Sequence, residues 1–259
     1  MSKLVRFQVG ESGPRYGRLD DGGTIIDVLA APAWQGGGQP TGERVPLEVA
    51  ALLAPCEPTK VVCVGRNYVA HAKELGNEPP PEPLIFIKPP SSVIGPAAAI
   101  VRPRASSEVH HEAELGVVIG QRSRRVTAAE ARRAIAGFTC VNDITARDIQ
   151  AAEKHFTRCK GFDTFCPIGP WIEDGPLDVG ALRVRCRVNE QVRQDSQTAA
   201  MVVDPFALIA FISSVMTLEP GDVVSTGTPA GVGPLVAGDV VHVEVTGVGI
   251  LTNPVRDEP

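Results

Sequence analysis

The sequence predicts an α+β chain in which strands dominate, and three observations carry that class. It holds 26 glycines and 23 prolines in 259 residues, a density of turn formers that favours short strands over long helices. Its apolar segments are short, and several alternate apolar and polar at period two, as "ALRVRCRVN" does at 181–189. Helical patterns are few and do not alternate with strands in a βαβ rhythm.

Taken in order, "KLVRFQV", "PRYGRLD" and "TIIDVL" predict a short meander over residues 1–30, broken by glycine turns such as "DDGG" at 20–23. "AWQGGGQPTGE", 33–43, predicts a loop. "PLEVAALLAP", 46–55, predicts a short helix bounded by Pro46 and Pro55. This stretch, residues 1–57, is read as a small β-rich N-terminal domain, and 58–259 as the main domain. "KVVCVGRNY" predicts a strand entering a loop, and "PLIFIKPPSSVIGP" a strand stopped by paired prolines. "TAAEARRAIAG", 127–137, predicts a helix with Thr127 and Glu130 as a capping box and Gly137 at its end. "GFTCVNDITARDIQAAEKH" passes from strand to helix. "DPFALIAFISSVM", 204–216, predicts a helix with Asp204 as N-cap and Pro205 in the first turn. "EPGDVVSTG" and "VAGDVVHVEVTGVG" are turn-then-strand units.

Composition excludes several classes of function. A net charge of −5 gives no electrostatic footprint for nucleic acid and no attraction to anionic membranes. No apolar run approaches membrane-spanning length, and the N-terminus turns polar too soon for a signal peptide. The six cysteines form no C-x-x-C pair, which speaks against a zinc ribbon or a thioredoxin-type motif. A cytoplasmic protein with reduced, core-forming cysteines is expected.

"VHHEAELGVVIG", 109–120, raises the chemical question. Glu112 and Glu114 flank one alanine, and i, i+2 residues of a strand share a face. Two like charges entering the apolar Val117-Val118-Ile119 repel each other and are costly to bury. A bound cation resolves the conflict, and so does exposure at a sheet edge. Asp143, at the end of the apolar "FTCV", could add a third carboxylate. An oxygen-only site suits Mg²⁺, Mn²⁺ or Ca²⁺ rather than zinc. Spacing alone ranks the exposed edge ahead of the cation.

Seven segments in a fixed order then tilt the balance. They are "VGRNYVAHAKELG", "IFIKPPSSVIGP", "HHEAELGVVIG", "GFTCVNDITARD", "KGFDTFCPIGPWI", "VRQDSQTA" and "FISSVMTLEPGDVVSTGTPAGVGPL". Through them the chain resembles the fumarylacetoacetate hydrolase family over about 60–255. The resemblance implies a rolled mixed β-sandwich, often preceded by a small N-terminal domain, and a homodimer. It implies Mg²⁺ or Mn²⁺, with Ca²⁺ as a substitute, held by Glu112, Glu114 and Asp143. It places a His–Glu pair, His71 and Glu74, on a lid helix, and an active-site lysine at Lys160. It assigns Arg147, Gln150 and Thr228 to substrate contact. His110 and His111 are read as structural, as are His155 and His242. The family pattern departs at "IGPAAAI" and at "VNEQVRQ", which lacks the usual turn glycine.

What the resemblance implies for activity is chemistry on a small 2-oxo or diketo acid. The lead is hydrolysis of a C–C bond in an acylpyruvate- or fumarylpyruvate-type acid, with His71 activating water and Lys160 absorbing enolate charge. The alternative is a 2-hydroxyhepta-2,4-diene-1,7-dioate-type isomerase or an oxaloacetate-type decarboxylase of aromatic catabolism. A metal-stabilised binding protein without catalysis is the reading from another class. The His71–Glu74 pair and Lys160 argue against it, since a scaffold needs neither.

Overall fold

The first strand, Lys3–Gln8, pairs with the distant strand Cys166–Glu173. Its register sets Lys3 against Glu173 and Leu4 against Ile172. The N-terminal meander therefore continues the main sheet. A computed structural model of the chain describes residues 3–35, 38–153 and 155–259. Residues 36–37 of the predicted loop, and Lys154 of the predicted helical stretch, lie outside the described residues.

The large sheet runs in the order Pro40–Pro46, Ile25–Leu29, Arg15–Leu19, Lys3–Gln8, Cys166–Glu173, Ile135–Asn142, Ala113–Ile119, Val223–Ser225, Val61–Gly65, Leu84–Lys88. Most neighbours are antiparallel, but Val223–Ser225 runs parallel to Val61–Gly65. A second sheet of five strands, Gln191–Gln197, Arg183–Val188, Val240–Val245, Gly249–Asp257 and Ile100–Arg102, faces it. The architecture is a mixed β-sandwich, α+β and mostly β. Its main core joins Leu115, Val117 and Ile119 of the first sheet to Val184, Val243 and Leu251 of the second. Five α-helices are described: α1 (Val69–Glu74), α2 (Ala128–Ala134), α3 (Arg147–Glu153), α4 (Phe156–Lys160) and α5 (Pro205–Val215). None is long and apolar enough to cross a membrane.

Local chemistry explains most helix ends. Thr127 and Glu130 form the reciprocal capping box of α2. Asp204 caps α5 by accepting from the N–H groups of Phe206 (2.9 Å) and Ala207 (3.2 Å). Asn189 takes the positive φ of 53° at the turn where a glycine was missing, and its side chain bonds Asp239 and the Val240 N–H.

Three expectations are corrected. Residues 46–55 form no α-helix but a 3₁₀ turn, Leu47–Val49, and a two-residue strand, Ala51–Leu52. That strand pairs with Phe7 and Gln8, and the turn has no side-chain cap. A free sheet edge outcompeted a helix too short to sustain itself. Part of the predicted loop, from Pro40, is a strand. Helix α2 stops at Ala134, and Gly137 lies inside the next strand. A Cβ there would stand 2.3 Å from the Glu173 carbonyl oxygen, so glycine permits close strand packing rather than a helix end.

Candidate active site

The antiparallel register of two buried strands brings the carboxylates together. Ala113 lies opposite Asn142 and Glu114 opposite Val141. Glu112 and Asp143 therefore leave the pair side by side, tied by a 2.9 Å bond from the Asp143 N–H to the Glu112 carbonyl. The Asn142 side chain closes the corner by accepting from the Glu112 N–H at 2.9 Å. Glu112 sits in the break between Val109–His111 and Ala113–Ile119 rather than within one strand. Glu112, Glu114 and Asp143 each offer an oxygen within 4.8 Å of the other two, and all three are buried.

Cations already engage this cluster. The Lys160 Nζ donates to Glu112 Oε2 (2.8 Å), Asp143 Oδ2 (2.6 Å) and Thr145 Oγ1 (2.9 Å). Arg147 pairs with Glu112 Oε1 and donates to Gln150 Oε1 at 2.8 Å. Burial pushes the Glu112 carboxyl up, but Lys160, Arg147 and His71 outweigh it and hold the group well below the usual carboxylate range. Burial likewise opposes the Lys160 charge, and Asp143 and Glu112 more than restore it. Glu114 behaves in the opposite way. Burial, then the Asp143 and Glu112 carboxylates, push it well above its ordinary value. It accepts from Ser225 Oγ (2.5 Å) and the Gly227 N–H (2.7 Å), with no basic side chain at bonding distance among the described residues.

The cluster forms the floor of a cavity of about 940 Å³. Helix α1 forms part of its wall. His71 is 4 % exposed, and its Nδ1 lies 3.2 Å from Glu74 Oε2. The other Glu74 oxygen accepts from the Gly231 N–H at 2.9 Å, which latches the helix to the glycine loop. Gln150 and Thr228 also line the cavity. Eight of the nine residues singled out in the sequence thus line one cavity, and the ninth, Glu74, bonds His71 from behind it.

Two residues were missed. Lys88 is fully buried and donates to Asp143 Oδ1 (2.6 Å) and the Ile144 carbonyl (3.0 Å). The signal was a lysine ending the apolar "LIFIK" run. Gln194, the one buried side chain of its strand, gives its amide N–H groups to Thr228 Oγ1 and the Pro229 carbonyl, both at 2.7 Å. Its oxygen accepts from the Ala113 N–H (2.9 Å) and faces His111 Nδ1 (3.0 Å). Burial pushes the His111 imidazole down to about 4, so the neutral ring donates from Nδ1. The reading of His111 as structural fits this pairing.

Known proteins are similar to this chain along nearly its whole length. The mitochondrial oxaloacetate tautomerase of Xenopus laevis is 40% identical across 98% of this chain and 90% of its own length. The crystal structure of 2-hydroxyhepta-2,4-diene-1,7-dioate isomerase from Mycobacterium marinum superposes with a TM-score of 0.90 at 41% identity, covering 100% of this chain and 99% of that one. Maleylpyruvate hydrolase from Sphingobium sp. SYK-6, solved with manganese(II) and pyruvate, gives a TM-score of 0.80 at 31% identity over 99% of this chain and 100% of that one. Residues 2–55 match the family described as Rv2993c-like, N-terminal. With residues 60–256 matching the fumarylacetoacetate (FAA) hydrolase C-terminal family, the chain belongs to the fumarylacetoacetate hydrolase family.

Proposed function

We propose that the chain is a divalent-cation-dependent enzyme that moves a proton between the keto and enol forms of a small 2-oxo acid. The observation that carries this reading is the position of His71, a buried imidazole held by Glu74 on the wall of a cavity floored by Glu112, Glu114, Asp143 and Lys160. Two relatives at 40–41% identity bear tautomerase and isomerase names, which supports proton transfer as the reaction type.

The donor set fits a hard divalent cation: three carboxylates, oxygen only, converging and buried. Glu114 supports the fit, because its charged form has no cation at bonding distance among the described residues and is opposed by two carboxylates. When bound, such an ion supplies Lewis-acid polarisation of the 2-oxo group and its carboxylate. Mg²⁺ or Mn²⁺ is the proposed ion.

The side chains supply the rest. His71 Nδ1 is occupied by Glu74, which leaves Nε2 to take a proton from the substrate C3. The C3–H electron pair becomes the C2–C3 double bond, and the charge arriving on the 2-oxo oxygen is met by the Lys160 ammonium. Glu74 stabilises the imidazolium; passing its proton to the 2-oxo oxygen completes the enol, and taking the proton from that oxygen and returning it to C3 gives the keto form. Arg147 and Gln150, on one face of α3, would align the substrate carboxylate, with Thr228 opposite.

Hydrolysis of an acylpyruvate is the second reading, supported by the same His71–Glu74 pair acting on water and by the hydrolase relative. The experiment measures enol-to-keto conversion of oxaloacetate and cleavage of acetylpyruvate side by side. It uses chelator-stripped protein with and without Mn²⁺, for wild type and His71→Ala. Cation-dependent conversion that falls about 10²–10⁴-fold in His71→Ala supports proton transfer by the imidazole. Faster cleavage than conversion would transfer the assignment to the hydrolase reading, and inactivity in both would refute it.

A further inference from the structure

We propose that Arg66 anchors a second, distal carboxylate of the substrate, so that the site selects dianionic over monoanionic 2-oxo acids. The inference rests on the 2-oxo acid reading above and adds a specificity residue to it.

Leu84, Ile85 and Phe86 of the strand Leu84–Lys88 line one wall of the cavity. Lys88, Phe86 and Leu84 alternate onto one face. Lys88 touches Asp143 at the floor, and the Phe86 ring lies 4.9 Å below the Lys160 Nζ. Leu84 stands opposite Gly65 in the neighbouring strand, one residue before Arg66. From Lys88 to Leu84 the strand spans four steps, roughly 13 Å at 3.3 Å per residue. Phe156 packs edge-on against Phe86 at 5.0 Å and extends the apolar wall. The cavity therefore runs from a charged floor, along an apolar wall, towards Arg66.

The cations along this path are not equivalent. Arg147 and Lys160 pair with Glu112 and Asp143 at the floor, where the 2-oxo end of the substrate is placed. Nearby His110 accepts from Arg147 through Nδ1 and faces Glu108. Arg66 lines the same cavity, and among the described residues it has no hydrogen bond or ion pair. A half-buried guanidinium with five donors and no acceptor is a carboxylate receptor in waiting.

Its backbone is held for that position. Arg66 has φ 59°, a left-handed conformation sparsely populated by residues with a branched or long side chain. The next residue enforces it. Asn67 donates to the carbonyls of Val203 (3.0 Å) and Thr226 (2.8 Å) and accepts from the Val203 N–H (2.9 Å). Its own carbonyl takes the Val202 N–H at 2.8 Å. A conformation fixed this firmly beside a cavity is one that function repays.

The test uses two acids of equal chain length, 2-oxoglutarate and 2-oxopentanoate, which differ by the distal carboxylate. Calorimetry on Mn²⁺-loaded protein measures both Kd values for wild type, Arg66→Asn and Arg66→Lys. Asparagine tolerates the left-handed backbone, so the fold is preserved. Wild type should prefer 2-oxoglutarate at least tenfold. Arg66→Asn should abolish that preference while changing the 2-oxopentanoate Kd less than twofold, and Arg66→Lys should retain part of it. Equal weakening of both acids in Arg66→Asn, or no preference in wild type, overturns the inference. Preference without enol turnover supports Arg66 and overturns the proposed reaction, so the two failures are distinguishable.

Discussion

Replacing Lys88 by methionine tests how the acidic cluster is held together. Lys88 is 0 % exposed and bonds Asp143 Oδ1 at 2.6 Å, on the side away from Lys160. Removing one partner of a buried ion pair costs about 3–5 kcal/mol, because the other charge is left uncompensated. Asp143 keeps Lys160 at 2.6 Å, so the lower figure applies. At about 2–4 °C per kcal/mol for a domain of this size, about 3 kcal/mol lowers Tm by about 6–12 °C in chelator. A cation bound among the same carboxylates should reverse most of this. At a hundredfold excess over Kd it stabilises by about 2.7 kcal/mol, nearly the whole loss. With one competing positive charge gone, Mn²⁺ should also bind the variant more tightly than wild type.

The assay is thermal unfolding of both proteins in chelator and across a Mn²⁺ series. Lys88→Met with a Tm within about 2 °C of wild type in chelator would refute the electrostatic account of the cluster. A smaller Mn²⁺-induced rise in the variant than in wild type would show that the ion does not bind among these carboxylates.

Two further outcomes follow from local geometry. Gln194→Leu removes both donors that fix Thr228 and Pro229 and the acceptor for Ala113 and His111. It leaves buried polar groups unpaired at about 1–3 kcal/mol each, so unfolding should shift by several degrees, and Gln194→Glu, which keeps the acceptor, should lose less. Asp204→Ala removes the cap of α5 and should cost about 1 kcal/mol, read as a lower unfolding midpoint with unchanged turnover.

The local elements were legible where one stretch of chain decides them. Thr127 with Glu130, and Asp204 with Pro205, announce helix starts that need no partner. Residues 46–55 were not legible, because the deciding interaction is with Phe7 and Gln8, on another strand. The same division runs through the site. Glu112 and Glu114 stand out as a pair, but their meeting with Asp143 depends on a register that only the folded sheet sets. Lys88 and Gln194 look ordinary as letters. One ends an apolar strand and the other sits in a polar one, and burial alone reveals them.

The balance of charge in the cluster explains why two glutamates can stand together at the head of a buried strand. Glu112 faces Arg147 and Lys160, and Asp143 faces Lys88 and Lys160, so two carboxylates meet three cationic side chains. A network built only for stability would have neutralised Glu114 in the same way. Instead Glu114 receives a hydroxyl and a backbone N–H on one oxygen, and two neighbouring carboxylates oppose its charge. Donors on one oxygen fix its direction without supplying the missing positive charge. An arrangement that orients a carboxylate towards two others and withholds a cation from it supports the proposed ligand set over a plain salt bridge. On the proposed reading, the like charges of the E-x-E pair are tolerated because two protein cations hold Glu112 and a divalent cation from solution would complete the balance at Glu114.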